Sequence, residues 1–407
     1  SEHHDRRAGV LLPAFSPRRR EDLGIGDTLG LMQWMDWAQA HGVGFLQLLP
    51  INEMGADFSP YNAISSIALE PMYLTISPER IPGLSVTALA EAQGASDRGE
   101  WVDYPAVRRR KQQLLQAAFT HWPASGSSTQ QTAFAAFCKT ETGWLEDYTL
   151  YRLIMAQQNE DERWDQWPAE LRTAAGARAW FAAERARYPE LERERAFFAW
   201  VQWLCYEQWL ELRAHGDRCG VQLMGDVPIG VSYHSVDVLF EPEGFDLDWS
   251  GGAPRETMFK HDRFIQRWGQ NWGVPLYRWD VMEQNGYPWW RRRIGKLTEI
   301  FHRFRIDHVL GFYRIYAFPW RPKLNDAFVD LDEAAAAQLC DGRLPQWAWR
   351  DDLTPENRAA NRADGDRRLR MVLDAAGTAT VVAEDLGCVP DYVLSLIHIS
   401  EPTRPRL

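Results

Sequence analysis

Two acidic residues in this chain stand where short apolar runs end, and both are placed for nucleophilic or acid–base work. In Phe304-Arg-Ile-Asp307, Arg305 and Asp307 are two residues apart, so on a strand their side chains leave the same face. The guanidinium favours the ionised carboxylate, which suits a nucleophile that must attack while charged. As an isolated tripeptide the same pair reads first as an ion pair at a strand end. Glu384 closes the run Ala379-Thr-Val-Val-Ala-Glu384 and could carry a proton if apolar neighbours raise its pKa. Glycoside chemistry uses two such carboxyl groups, one attacking and one delivering a proton. A third, Asp226 in Gly225-Asp-Val-Pro228, either caps the following turn or serves a substrate site.

The elements that would hold these residues are readable from periodicity. Five short apolar runs look like strands: Ala8–Pro13, Gly44–Pro50, Val221–Asp226, Phe304–Asp307 and Ala379–Glu384. Between the first two, Leu31, Met35 and Ala38 recur at helical spacing and Gly42 stands where that helix should stop. Before the third, Phe197, Val201, Cys205, Trp209 and Leu212 line one helix face, and Gly216 is expected to close it. Parallel strands alternating with helices fit a (β/α)₈ barrel, and a doubly wound sheet would read similarly. Residues 75–195 read as a mostly helical inserted subdomain. Residues 1–74 and 196–393 then supply the barrel, the latter with strands three to five.

Composition narrows the class. With 45 basic against 56 acidic residues the net charge is −11, which argues against a nucleic-acid surface. No apolar stretch reaches the roughly 18 residues of a membrane helix. The opening Ser1-Glu-His-His-Asp-Arg-Arg7 lacks the apolar core of a secretory signal. The five cysteines are far apart and form no C-x-x-C pair, so free thiols in a reducing cytoplasm are expected and a structural zinc is not. Twenty tryptophans are unusually many, and indole faces can stack on sugars, but abundance alone fits a packed core equally well.

The motifs, taken in order, resemble the amylomaltases, 4-α-glucanotransferases related to the α-amylases. They are Gly9-Val-Leu-Leu-Pro13, Asp22-Leu-Gly-Ile-Gly26, Gln47-Leu-Leu-Pro50, Ser59-Pro-Tyr-Asn62, Gly225-Asp-Val-Pro-Ile229, Gly269-Gln-Asn-Trp-Gly273, Phe304-Arg-Ile-Asp-His308 and Ala383-Glu-Asp-Leu-Gly387. The resemblance implies a (β/α)₈ TIM-type barrel with helical insertions. It matches Asp307 to the nucleophile, Glu384 to the general acid/base and Arg305 to the arginine beside the nucleophile. Tyr61 matches an aromatic platform under the attacked sugar, and Asp226 a carboxylate near the site. Gln270 and Trp272 fall in what looks like a glucan-contacting loop, and His308 joins the substrate-binding set. The implied reaction is a retaining double displacement on maltooligosaccharides and other 1,4-α-glucans, with no metal or organic cofactor. Rival readings are an α-amylase-type hydrolase, with water as acceptor, and a non-catalytic glucan-binding protein.

The sequence also departs from that family. The resemblance implies a third carboxylate, an aspartate preceded by histidine, after a later strand. The His-Asp pairs here are His4-Asp5 and His261-Asp262, both earlier than Glu384. Leu394–Leu407 resembles a translated sequencing adapter, and Pro402 and Pro405 would break a continuing helix or strand. The natural sequence is therefore expected to diverge near Val393, with the last barrel strands missing. The 407-residue polypeptide as written is expected to be aggregation-prone and inactive.

Overall fold

The structure is a computed structural model, and it describes residues 7–256, 258–384 and 390–393. The tail 394–407, Asp385 to Gly387 and Cys388, on which part of the sequence reading rests, lie outside the described residues. The chain divides into two compact units. One holds the residues up to Asp226 with Lys296–Arg303; the other holds Val227–Gly295 with the residues from Phe304 onward.

In the first unit β1 (Gly9–Leu11), β2 (Phe45–Gln47) and β3 (Gln222–Val227) pair in parallel, with Val10 opposite Leu46 and Leu46 opposite Leu223. The helix Thr28–Ala40 links β1 to β2 and buries Leu31, Met35 and Ala38 completely. Asp27 caps its start by accepting from the Gly30 N–H, and Gly42, at a φ of 70°, follows its end. Between β2 and β3 the described elements are helical, including Tyr104–Ser125, Thr142–Gln157 and Glu190–Cys219. The last buries Phe197, Val201, Cys205, Trp209 and Leu212. It ends at Gly220, in the left-handed region, and not at Gly216. Gly216 is there for space: a Cβ would come within 2.5 Å of the Val221 carbonyl oxygen.

These helices also enclose charge. Glu53, Glu70, Lys111 and Arg152 are all buried and, with Arg108 and Tyr148, line a cavity of about 250 Å³. Arg152 Nε lies 3.1 Å from Glu53 Oε1, and Tyr148 donates to the other oxygen of that carboxylate. Glu70 accepts from the Met54 N–H and faces Arg108 at 3.6 Å. Lys111 Nζ donates to the Met72 and Leu74 carbonyls, both at 2.6 Å.

The second unit contains an element the sequence reading missed. Four strands, β4 (Phe245–Ala253), β5 (Gln270–Tyr277), β7 (Ile315–Phe318) and β8 (Gln346–Ala348), form an antiparallel sheet in the order β5-β4-β7-β8. Phe318 of this sheet packs with Trp268, Trp320 and Phe328 in one apolar cluster. Beside it, β6 (Arg303–Ile306) and β9 (Thr380–Ala383) run as the sequence implies, β9 fed by the helix Pro355–Ala376. The Glu384 N–H donates to the Ile306 carbonyl at 2.9 Å, which sets the two strand ends level. Trp200, Trp209 and Trp290 are fully buried, so packing accounts for much of the tryptophan excess.

Candidate active site

Asp307 and Glu384 leave the ends of β6 and β9. The Asp307 N–H is held by the Val227 carbonyl at 2.9 Å, which anchors the backbone under the side chain. Arg305, on the same face two residues earlier, reaches both carboxylates with one nitrogen. Its Nη2 lies 2.5 Å from Asp307 Oδ1 and 3.2 Å from Glu384 Oε1. Those two distances limit the separation of the oxygens to under about 6 Å, short of the roughly 6.5–9.5 Å between the carboxyl groups of inverting glycosidases.

The chain turns sharply after Asp307. His308 sits at a φ of 54°, in the left-handed region that a non-glycine residue occupies at some cost. This turn aims the His308 N–H at Glu384 Oε2, 2.9 Å away. Burial pushes the Glu384 carboxyl up, but a hydrogen bond with Asp307, the His308 N–H and the Arg305 charge outweigh it and hold the group below its ordinary value. This corrects the expectation that apolar neighbours would raise Glu384. The arginine and the N–H, brought in from β6, were not visible in the sequence around residue 384. Burial lowers the His308 imidazole to about 4, against a partial opposing pull from Glu384, so the ring is neutral at pH 7.

Trp272 closes this group from the antiparallel sheet. Its ring meets the His308 ring edge-on with centroids 4.8 Å apart, and its Nε1 donates to Gln270 Oε1 at 3.1 Å. Gln270 and Trp272, expected in a loop, lie on β5. The register jumps there: Gly251 faces Val274 while Gly252 faces Asn271, so Trp272 and Gly273 bulge out of the ladder. Gly273, at a φ of 83°, permits the bulge. Asn271, which the sequence reading passed over, pins it by accepting from Ser250 Oγ at 2.5 Å and donating to the Trp320 carbonyl at 2.9 Å. A polar residue between Gln270 and Trp272 was the available signal.

The remaining two candidates meet in the first unit. Tyr61 donates its hydroxyl to Asp226 Oδ2 at 2.7 Å, across 165 residues of sequence. Asp226 is only 3% exposed whereas Tyr61 keeps 36%, so an exposed ring stands on a buried carboxylate. The loop carrying Tyr61 is shaped locally: Asp57 accepts from the Ser59 N–H and from Asn62 Nδ2, and Ser59 Oγ accepts from the Tyr61 N–H. On β3, Gly225 is required by packing, since a Cβ would fall 2.6 Å from the Phe301 ring. Asp226 thus holds the Tyr61 hydroxyl, where the sequence left it between a turn cap and a substrate site.

Two carboxyl groups joined by one arginine at the ends of adjacent strands are the kind of pair that glycoside chemistry uses. The chain belongs to the 4-alpha-glucanotransferase family, whose model matches residues 12–401. Among curated relatives named 4-alpha-glucanotransferase, that of Thermus thermophilus is 31% identical over 87% of this chain and 63% of its own length. That of Chlamydia pneumoniae is 29% identical over 96% of this chain and 66% of its own length. The chain thus spans about two thirds or less of the curated relatives it matches. The amylomaltase from Streptococcus agalactiae, solved in complex with acarbose, superposes with a TM-score of 0.73 at 23% identity, covering 97% of this chain and 72% of that one. The Corynebacterium glutamicum amylomaltase gives 0.71 at 21%, covering 97% and 49%. The fold is therefore the amylomaltase fold, the TIM-type α/β class with many helices expected from the alternation of strands and helices. No helix among the described residues is long and apolar enough to cross a membrane.

Proposed function

We propose that the protein carrying this chain is a 4-α-glucanotransferase that moves segments of 1,4-α-glucan by a retaining double displacement. The observation that carries the reading is the short bridge Asp307–Arg305–Glu384. Asp307 attacks the anomeric carbon while Glu384 gives a proton to the departing glycosidic oxygen. The freed glucan end leaves, and Glu384, now a base, takes the proton of an acceptor 4-hydroxyl, whose oxygen displaces Asp307. Glu384 must be protonated for the first step. A sugar seated between the carboxyls would break the contact with Asp307 and so remove one of the groups that hold Glu384 down against its burial. Arg305 then stays with Asp307 and keeps the nucleophile charged.

Trp272, Gln270 and His308 form one wall for a glucan, and Tyr61, steadied by Asp226, offers a platform for a sugar ring. Transfer outruns hydrolysis when such surfaces hold the acceptor and exclude water. In this reading residues 75–195 are a helical insertion between the second and third barrel strands, and the enzyme works in the cytoplasm on maltooligosaccharides. The test is product analysis with maltotriose, using protein from the complete reading frame that carries these residues. Glucose together with a ladder of longer glucans supports transfer. Only glucose and maltose would mean a hydrolase, and binding without any product would mean a glucan-binding protein.

A further inference from the structure

Helix Thr28–Ala40 and helix Glu190–Cys219 lie against each other in the first unit. Near their C-terminal ends they bring together an aspartate, a histidine and a cysteine. His215 and Cys219 are four residues apart and so share one face of the longer helix. Asp36 comes from the shorter helix, 179 residues away from His215 in sequence. His215 Nε2 lies 2.7 Å from Asp36 Oδ1, Cys219 Sγ lies 3.5 Å from His215 Nε2, and Cys219 Sγ lies 3.7 Å from Asp36 Oδ1.

These distances can be compared with what a metal ion needs. Zinc bonds of about 2.0–2.1 Å to nitrogen or oxygen and about 2.3 Å to sulfur, at tetrahedral angles, place ligand atoms about 3.4–3.6 Å apart. Both distances from Cys219 Sγ are already close to that spacing, and only the His215–Asp36 contact would have to open, by well under 1 Å as a rough estimate. The donor set is the mixed soft and borderline one that zinc selects over magnesium or calcium. Asp36 keeps 61% exposure and His215 23%, so an ion can enter and a water can take the fourth position.

We propose that Asp36, His215 and Cys219 form a divalent transition-metal site that takes Zn²⁺ and clamps the two helices together. It is independent of the glucan chemistry: the helices it joins precede β2 and β3, and none of the three residues belongs to the candidate active site. Binding converts the Cys219 thiol to a zinc-bound thiolate and releases its proton to solvent, with no change in oxidation state. As the helices stand, that thiol donates to Asp36 Oδ1.

The test is titration of the whole, chelator-treated protein with Co²⁺, followed by its displacement with Zn²⁺. The expected result is the intense visible spectrum of four-coordinate Co²⁺ with a near-ultraviolet thiolate charge-transfer band. Cys219→Ser should abolish that band, His215→Ala should weaken binding at least tenfold, and Cys138→Ser should leave both unchanged. Zn²⁺ should also protect the Cys219 peptide from alkylation, a readout that survives if a variant folds poorly. A weak six-coordinate spectrum without the charge-transfer band, a band retained in Cys219→Ser, or equal alkylation with and without Zn²⁺ would each overturn the proposal.

Discussion

In the second unit Arg305 stands between Asp307 and Glu384; in the first, Arg152 and Arg108 stand against Glu53 and Glu70. The side-chain types are the same and the consequences differ. Asp307 and Glu384 are half-buried, and the donors around Glu384 outweigh its burial and hold it below its ordinary value. Glu53 and Glu70 are sealed among helices, and burial wins over Arg152 and Arg108, pushing both carboxyls up, Glu70 to about 7. Burial pushes Lys111 down to about 8 in the same region, against the pull of Asp27 and other carboxylates. An arginine beside a carboxylate therefore says little about function until solvent access and the number of donors are known.

The largest expected effect separates the clusters by activity. Asp307→Asn should lower kcat for maltotriose transfer by about 10⁴-fold or more, and Glu384→Gln by about 10²- to 10⁴-fold, with thermal unfolding nearly unchanged. An equal loss of transfer on replacing Glu53 would break the distinction.

Next, Arg152→Met should cost about 3–5 kcal/mol of stability in urea unfolding, because it leaves Glu53 buried without its cation. The protein that still folds should retain normal kcat. A smaller effect is expected for Arg305→Met, about 10²-fold in kcat, with the basic limb of the pH profile moved up because Glu384 loses an opposing charge.

The finest test uses stability against pH, where the clusters should act with opposite sign. His308 falls to about 4 in the folded protein, so the unfolded chain binds more protons between about 6.5 and 4, and stability drops as pH falls through that window. Glu70 rises from 4.5 to about 7, so the folded protein binds more protons there, and stability drops as pH rises through that window. His308→Gln should flatten the first slope and Glu70→Gln the second, each measured by denaturant unfolding across pH 4–8. The same sign for both variants would mean that the environment of one group is misread.

Much of the site could be read from the chain because its parts are local. Arg305 and Asp307 share a face through the two-residue period of a strand, and Glu384 ends an apolar run that becomes β9. The antiparallel sheet was harder to see. β4 begins with the alternation Phe245-Asp-Leu-Asp-Trp249, but glycines follow, and β5 carries Gly273 and Pro275, which count against a strand. Tertiary pairing overrode those local preferences.

The residue types, the strand ends and the order of motifs were thus determined by the sequence, because side-chain periodicity and backbone propensity act over a few residues. Only the tertiary structure decided that Arg305 bridges carboxylates on two strands, that Asp226 carries Tyr61, and that Asp36 meets His215 and Cys219. These contacts join positions 79 to 183 residues apart. Whether such a group is held charged, neutral or poised depends on burial and donors that exist only once the chain has packed.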